Sequence, residues 1–153
     1  MRISAKADYA VRAAVELAST ASRDRPVKGE AVAVAQGIPL HFLENILGEL
    51  RQQGLIQSRR GTEGGYWLAR PADDITLAEI IRGVEGPLAT VRGERPDALV
   101  YHGRAEPLRD VWLALRANIR QILEPVTLAD VISGRLPEPI ARLSNHPEVE
   151  AER

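Results

Sequence analysis

Two adjacent arginines open a glycine-rich stretch of the chain, RRGTEGGYWLARP, which begins at Arg59. Arginine on a narrow extended element is suited to contact a phosphate backbone or a minor groove of DNA. A nucleotide-binding phosphate loop fits less well, because it needs a helix directly after it, and here the strand-forming residues Tyr66 and Trp67 follow. The stretch therefore predicts the tip of a β-hairpin. Three glycines are expected to supply its positive φ angles: Gly61, Gly64 and Gly65.

Residue types that catalyse reactions or hold metals are sparse in the rest of the chain. There is no cysteine, which removes thiolate nucleophiles, disulfides and thiolate-held metal or iron-sulfur sites. The sequence has no Gly-x-Ser-x-Gly and no His-Glu-x-x-His motif. Its histidines, at 41, 102 and 146, match no metal-ligand spacing. We therefore predict a protein that is not an enzyme and has no catalytic residue, metal site or cofactor.

The composition is that of an ordinary soluble chain: 153 residues, 44% hydrophobic and 27% charged, enough for one core and an appendage. No apolar run approaches the ~20 residues of a membrane-spanning helix, and no segment resembles a signal peptide, so we expect a cytoplasmic protein that enters no membrane. The charge is uneven. Residues 1–70 carry 10 Lys and Arg against 7 Asp and Glu, whereas residues 71–153 carry 10 against 14. The first half is therefore the better candidate for binding a polyanion.

Three helices are predicted before the hairpin. Apolar residues recur every three or four positions from Ser4, a plausible N-cap, to Thr20, and a second helix is expected from Val27 to Gln36. A third helix follows Pro39 and ends at Gly54. Its polar residues point away from its apolar stripe: His41, Glu44, Asn45, Gly48, Arg51 and Gln52. Two short helices joined by a tight turn form a helix-turn-helix, and the hairpin after them makes it a winged helix, with Arg59 and Arg60 on the wing.

The second half of the chain predicts further helices after the hairpin. Thr76 and Glu79 have the spacing of a capping box for a fourth helix, and an irregular loop follows. Another helix is expected from Ala105 to Leu123, and Thr127 caps a shorter one. The long helix carries a seam of apolar residues at alternating spacings of four and three, widened by Val111 and Leu123. The residues assigned to dimerisation are Leu108, Val111, Trp112, Leu115, Ile119 and Ile122. This seam could pack on its own domain or on a second copy, and we favour a homodimer.

The predicted fold class is mainly α (α+β): a winged helix-turn-helix with a two-stranded wing and a long C-terminal dimerisation helix. The expected organisation is a DNA-binding domain at 1–86, a loop at 87–104, the dimerisation helix and a short following helix at 105–136, and a disordered tail at 137–153, which is acidic and poor in large apolar residues.

Three stretches of the sequence together resemble one protein family: KADYAVRAAVELA, GIPLHFLENILGELRQQGLIQSRRGTEGGYWLARP and DITLAEIIRGVEGPL. The pattern is similar to the Rrf2 family of bacterial transcription regulators, whose members include iron-sulfur and nitric-oxide sensors. The resemblance implies a winged-helix homodimer that binds double-stranded DNA at a pseudo-palindromic operator and represses, or sometimes activates, the adjacent genes. A winged-helix module for protein-protein interaction is the alternative function, since a fold does not fix its ligand.

The resemblance also assigns DNA-contacting positions. It places the start of the recognition helix at residues 41–45 and the minor-groove wing at Arg60 and Gly61. Glu44 would accept a hydrogen bond from cytosine N4 or be a solvated helix charge, and Phe42 would contact DNA or belong to the core. Lys6, Tyr9, Lys28 and Arg51 are candidates for phosphate contacts. The complete DNA-binding set is Lys6, Tyr9, Lys28, His41, Phe42, Glu44, Asn45, Arg51, Arg59, Arg60, Gly61 and Thr62.

The sequence departs from cluster-binding members of that family in its sensor loop. Those members place three cysteines where this chain has the stretch around Glu94 to Glu106, which contains none. Asp8 falls where some members supply a carboxylate ligand, but one carboxylate without thiolates cannot hold a cluster, so we interpret Asp8 as a surface or hinge residue of the first helix. The regulatory signal is then expected to be a small-molecule effector, a regulatory protein partner, or no signal at all.

Overall fold

The computed structural model describes residues 1–145 of the chain. Its first helix, α1, spans Ala5–Thr20 and begins where predicted, because the Ser4 side chain accepts a hydrogen bond from the Ala7 amide at 3.0 Å. Four alanines and one leucine line the buried side of α1, and the alanines let other helices approach closely: Ala7, Ala10, Ala13, Ala14 and Leu17. Helix α1 therefore lies at the centre of the fold, in contact with the second, third and fourth helices.

The helix-turn-helix consists of α2, Gly29–Gln36, and α3, Leu40–Gln52. Gly37 ends α2 in the left-handed region at φ 62°, a conformation that glycine adopts without strain. The start of α2 was predicted too early. Val27 is extended and pairs with Tyr66, with backbone N···O distances of 3.0 and 2.8 Å. Helix α3 buries the predicted apolar stripe: Leu43, Ile46, Leu47 and Leu50.

The hairpin is present at the predicted place, formed by antiparallel strands β1, Ile56–Arg59, and β2, Gly65–Leu68. Gly61 and Gly65 have the expected positive φ angles, 102° and 149°. Gly64 does not, and the reason for glycine there is different. A Cβ atom on Gly64 would lie 2.0 Å from the Arg59 carbonyl oxygen, and one on Gly65 would lie 2.6 Å from that of Val27. Both glycines therefore permit close approach of backbone segments, the second one to the strand-like residue Val27.

Helix α4, Leu77–Glu85, begins with the predicted capping box between Thr76 and Glu79. A second capping box starts α6, Leu128–Ser133. Backbone hydrogen bonds join the starts of the two helices, from Leu77 N to Val126 O at 2.9 Å and from Leu128 N to Ile75 O at 3.0 Å. Leu128 is fully buried in the main core. The short helix therefore packs with the winged-helix body, although the sequence grouped it with the dimerisation segment.

The segment between α4 and the long helix is mostly irregular, with short 3-10 turns at Pro96–Ala98 and Gly103–Ala105. Helix α5 then runs from Leu108 to Leu123, starting a little later than expected, and none of its residues is buried within the described protomer. A further helix, α7, spans Glu138–Ser144 in the segment predicted to be disordered; the rest of that tail, 146–153, lies outside the described residues. No helix in the described chain is long and apolar enough to cross a membrane.

Candidate nucleic-acid interface

The outer face of α3 is open. Every residue predicted there is exposed or half-exposed, because the opposite side of the helix supplies all of its core contacts. Phe42 is 53% exposed, so of the two interpretations of this residue the structure excludes the core one. Its ring lies beside that of His41, with centroids 4.2 Å apart. The exposed side chains of Glu44 and Asn45 make no hydrogen bond or ion pair with any described residue. These groups are available to a partner.

The two wing arginines differ in how they are held. The Arg59 guanidinium lies 5.8 Å from the centre of the Trp67 ring and donates a 3.4 Å hydrogen bond to the Glu63 carbonyl oxygen. Arg60 is exposed and pairs with no other residue of 1–145. Arg59 therefore links the two strands of the wing. A cation-π contact of this kind contributes about 0.5–1 kcal/mol at an exposed site. Arg60 lies at the tip without a partner among the described residues, beside the exposed Gly61 and Thr62.

Two side-chain contacts fix the wing relative to the helix-turn-helix. Arg51, near the end of α3, donates to the Ser58 hydroxyl on β1 at 3.1 Å. Lys28, directly before α2, donates from Nζ to the carbonyl oxygen of Gly61 at the wing tip. Both cations were predicted to contact phosphates, and both remain exposed. They therefore keep two charges at the junction between the recognition helix and the wing while holding these elements in one orientation.

Lys6 and Tyr9 lie next to α3 on the side away from the wing. With Phe42 and Asn45 they face a cleft of about 700 Å³ between α1 and α3. The Lys6 ammonium lies 2.9 Å from Glu49 Oε2, so its charge is already paired in the free protein. The Tyr9 ring is half-buried, with the Arg12 guanidinium 5.2 Å from its centre. Arg12 in turn pairs with the exposed Asp8 at 3.0 Å, which confirms Asp8 as a surface residue.

The long helix presents its apolar seam unevenly. Ile119 packs on its own protomer, against a small cluster that includes Ile81 and Leu88, and the Trp112 indole donates to the Tyr101 hydroxyl at 2.9 Å. Leu115 is half-buried. Three of the predicted seam residues are at least 40% exposed: Leu108, Val111 and Ile122. The seam thus divides into a side that holds the helix to its own chain and an apolar side that the described protomer leaves uncovered.

An ion cluster ties the same helix to α4. Glu124, just after α5, accepts from Arg82 on α4 at 2.6 Å and from Arg120 at 2.8 Å. Hydrogen bonds from these two guanidinium groups, Arg82 first, lower the pKa of Glu124 below its ordinary value. Because α4 also packs against α1 and α3, the position of α5 is linked to that of α3.

The loop before α5 carries acidic residues and a histidine, but their chemistry does not fit an iron-sulfur cluster. Such clusters are held by thiolates, and the chain has no cysteine. Asp97 instead accepts two 3.1 Å hydrogen bonds from Arg95, and His102 is exposed. Within 1–145 no three His, Asp or Glu side chains lie close enough together to hold a metal ion.

Comparison with known proteins agrees with this geometry. A family model described as "Rrf2: Iron-dependent Transcriptional regulator" matches residues 3–134. A Mycobacterium tuberculosis protein named as an HTH-type transcriptional regulator, Rv1287, is 52% identical over 145 residues, covering 95% of this chain and 89% of the relative. The HTH-type transcriptional regulator CymR of Bacillus subtilis is 32% identical, over 87% of this chain and 91% of the relative.

Solved structures show the same fold. The structure of B. subtilis CymR, described as a global cysteine regulator, aligns with a TM-score of 0.74 at 30% identity, covering 89% of this chain and 99% of that one. IscR from T. potens aligns with a TM-score of 0.68 at 29% identity, over 100% and 93% of the two chains. The predicted winged-helix fold is thereby confirmed. The match over nearly the whole chain, together with the open reading helix and wing, establishes that this protein belongs to the Rrf2 family of DNA-binding transcription regulators.

Proposed function

We propose that this regulator acts as a homodimer on a pseudo-palindromic operator and represses the adjacent genes. The observation that carries the proposal is the common open surface of α3 and the wing. The outward side chains of α3 and the exposed Arg60 lie on elements that Arg51 and Lys28 hold together. One side of the molecule can therefore approach the major groove and the adjacent minor groove at the same time.

On this surface the residues have different roles. The start of α3 enters the major groove, where Glu44 accepts from cytosine N4 and Asn45 can pair with adenine. Arg60 enters the minor groove, whose negative potential attracts arginine. Other predicted cations and hydroxyl groups contact the phosphate backbone and set the register of the protein on the duplex: Lys6, Tyr9, Lys28, Arg51 and Thr62.

The dimer follows from the uncovered side of α5. Leu108, Val111 and Ile122 are exposed along one side of this helix, and burying them against the same residues of a second copy would remove that apolar surface from water. A two-fold symmetric dimer presents two reading helices, so its operator should consist of inverted half-sites about 34–36 Å apart or a multiple of that distance.

The signal that controls this protein is not an iron-sulfur cluster in our proposal, because the chain offers no thiolate ligand. A small-molecule effector or a regulatory protein partner would act in its place. The link between α4 and the long helix through Glu124 offers a route by which such a partner could alter the spacing of the two reading helices.

Selection of bound fragments from the source genome, followed by fluorescence anisotropy on the enriched site, tests the proposal. We expect an inverted repeat, one dimer per site, and affinity that falls steeply with salt, because displaced counterions drive phosphate binding with a slope of about −0.9 per phosphate contact. Failure to enrich any inverted repeat, or affinity insensitive to salt, would favour a protein-protein interaction module instead.

Repression is tested separately in cells. Deletion of the gene should raise transcription from the promoter that contains the selected site, because an operator-bound dimer blocks access to it. A fall in transcription on deletion would show activation and would leave the DNA-binding part of the proposal intact.

A further inference from the structure

Phe42 is an apolar ring on an otherwise polar reading face. It is 53% exposed, whereas the next residue, Leu43, is fully buried. Replacing Phe42 with a smaller residue should therefore lower the stability of the core little. A single exposed apolar side chain is ordinary on a protein surface, so exposure alone does not assign a role to Phe42. Its position is more informative, because it lies in the first turn of α3, one turn before Asn45.

The neighbours of Phe42 define what it could contact. Asn45 follows it by three residues, which places the two side chains about 5–6 Å apart on one side of the helix. Both line the cleft between α1 and α3, and the Phe42 ring rests on His41 at a centroid distance of 4.2 Å. The ring is thus held from one side while its other surface faces outward among groups that form hydrogen bonds.

The major groove has one apolar group that matches such a ring, the C5-methyl of thymine. Asparagine pairs with the N6 and N7 atoms of adenine, and successive bases along a strand are about 3.4 Å apart, so two side chains one turn apart can reach neighbouring base pairs. We propose that Phe42 packs against a thymine methyl in each half-site and thereby determines specificity at that position. This inference rests on the proposed placement of α3 in the major groove.

Operators in which each thymine is replaced by deoxyuridine test the inference, because that change removes only the methyl group. The replacement is made symmetrically in both half-sites, one position at a time. For the wild-type dimer we expect one position at which affinity falls about fourfold per half-site, or about fifteenfold for both, as expected for the loss of about one buried methyl group. Phe42→Ala should bind the thymine and deoxyuridine forms of that position equally well, while other positions respond as in the wild type.

Two further variants control the experiment. Phe42→Leu keeps an apolar side chain and should retain sensitivity to deoxyuridine at the same position. Val100→Ala removes another exposed apolar side chain, 71% exposed in the loop before α5, and should match the wild type at every position. Unchanged thermal unfolding of Phe42→Ala would show that its effect arises in the complex.

The outcomes separate this inference from the proposed function. A uniform loss of affinity in Phe42→Ala, with no position at which the deoxyuridine effect disappears, would place the ring on the sugar-phosphate backbone and overturn the thymine contact while DNA binding stands. Wild-type affinity that is unaffected by deoxyuridine at all positions would overturn it as well. Absence of any DNA binding by the wild type would defeat the proposed function itself.

Discussion

Helices α3 and α5 are both amphipathic, but they differ in how much of the apolar face is covered within the protomer. Helix α3 buries its whole apolar stripe, including Leu43 and Leu50, within its own protomer and leaves its polar side open. Helix α5 buries no residue completely and leaves Leu108 and Val111 exposed. The same sequence periodicity therefore serves two purposes. A helix whose apolar side the chain covers can offer its polar side to DNA, whereas one whose apolar side stays uncovered is suited to bind another protein surface.

The largest effect is expected from a charge placed on the uncovered side of α5. Val111→Asp should abolish the dimer, because an unpaired carboxylate at an apolar interface costs several kcal/mol, and about 4 kcal/mol corresponds to roughly a thousandfold in affinity. Light scattering coupled to gel filtration measures the mass. Ala117→Asp, on an exposed position about 120° further around the same helix, is the control and should remain dimeric. A dimeric Val111→Asp protein would rule out this side of α5 as the interface.

The contact surface near α3 is tested by the two wing arginines. Arg60→Ala should weaken operator binding by about 1–3 kcal/mol, since we propose that its guanidinium enters the minor groove. Arg59→Ala should weaken it less, because Arg59 already contacts Trp67 and the Glu63 carbonyl oxygen. Anisotropy titrations of both variants at one salt concentration give the comparison. Equal operator affinity of Arg60→Ala and the wild type would remove Arg60 from the interface.

Helix α4 lies between α3 and α5. Removing its N-cap hydrogen bond should therefore lower the stability of the fold and leave the DNA-contacting residues unchanged. Thr76→Ala removes the hydroxyl that accepts from the Glu79 amide at 3.2 Å, and loss of such a cap costs about 1 kcal/mol. Thermal denaturation should show a melting temperature lower by about 2–4 °C, with the exposed Thr90→Ala as the control. A variant as stable as the wild type would show that the capping box contributes nothing measurable here.

The smallest expected effect concerns the ionic link from α4 to the end of α5. Arg82 and Arg120 lower the pKa of folded Glu124 below its ordinary 4.5. A carboxyl group with a lowered folded pKa stabilises the protein above its unfolded pKa and loses that contribution as the pH falls through the folded value. The melting temperature of the wild type should therefore exceed that of Glu124→Gln at neutral pH, and the gap should close below pH 4.5.

Glu30→Gln is the matched control for that series. Glu30 is exposed on α2 and has no ion-pair partner among the described residues, so its replacement should leave the melting temperature close to that of the wild type throughout. A gap between wild type and Glu124→Gln that is independent of pH would show that the ionised carboxylate is not the source of the stabilisation.

Local sequence signals predicted most elements of the fold. The cap at Ser4, the capping boxes at Thr76 and Thr127, and the glycine after α2 each act within a few residues of chain, so their effect can be read without knowing the fold. The same holds for the hairpin, whose glycines and aromatic residues are contiguous. The resemblance to the Rrf2 family added the expectation of DNA binding, which the family match confirmed.

The sequence alone determined both strands, most of the helices and which faces of them are apolar, because helix period, caps and turn residues depend on neighbours in the chain. Only the tertiary structure decided what covers each face. It paired Val27 with Tyr66 and placed Arg59 against Trp67 while Arg60 stayed exposed. It also placed Phe42 outside the core and divided the α5 seam between Ile119 and Val111. These outcomes depend on contacts between residues far apart in sequence, and a periodic pattern carries no information about which distant surface will meet it.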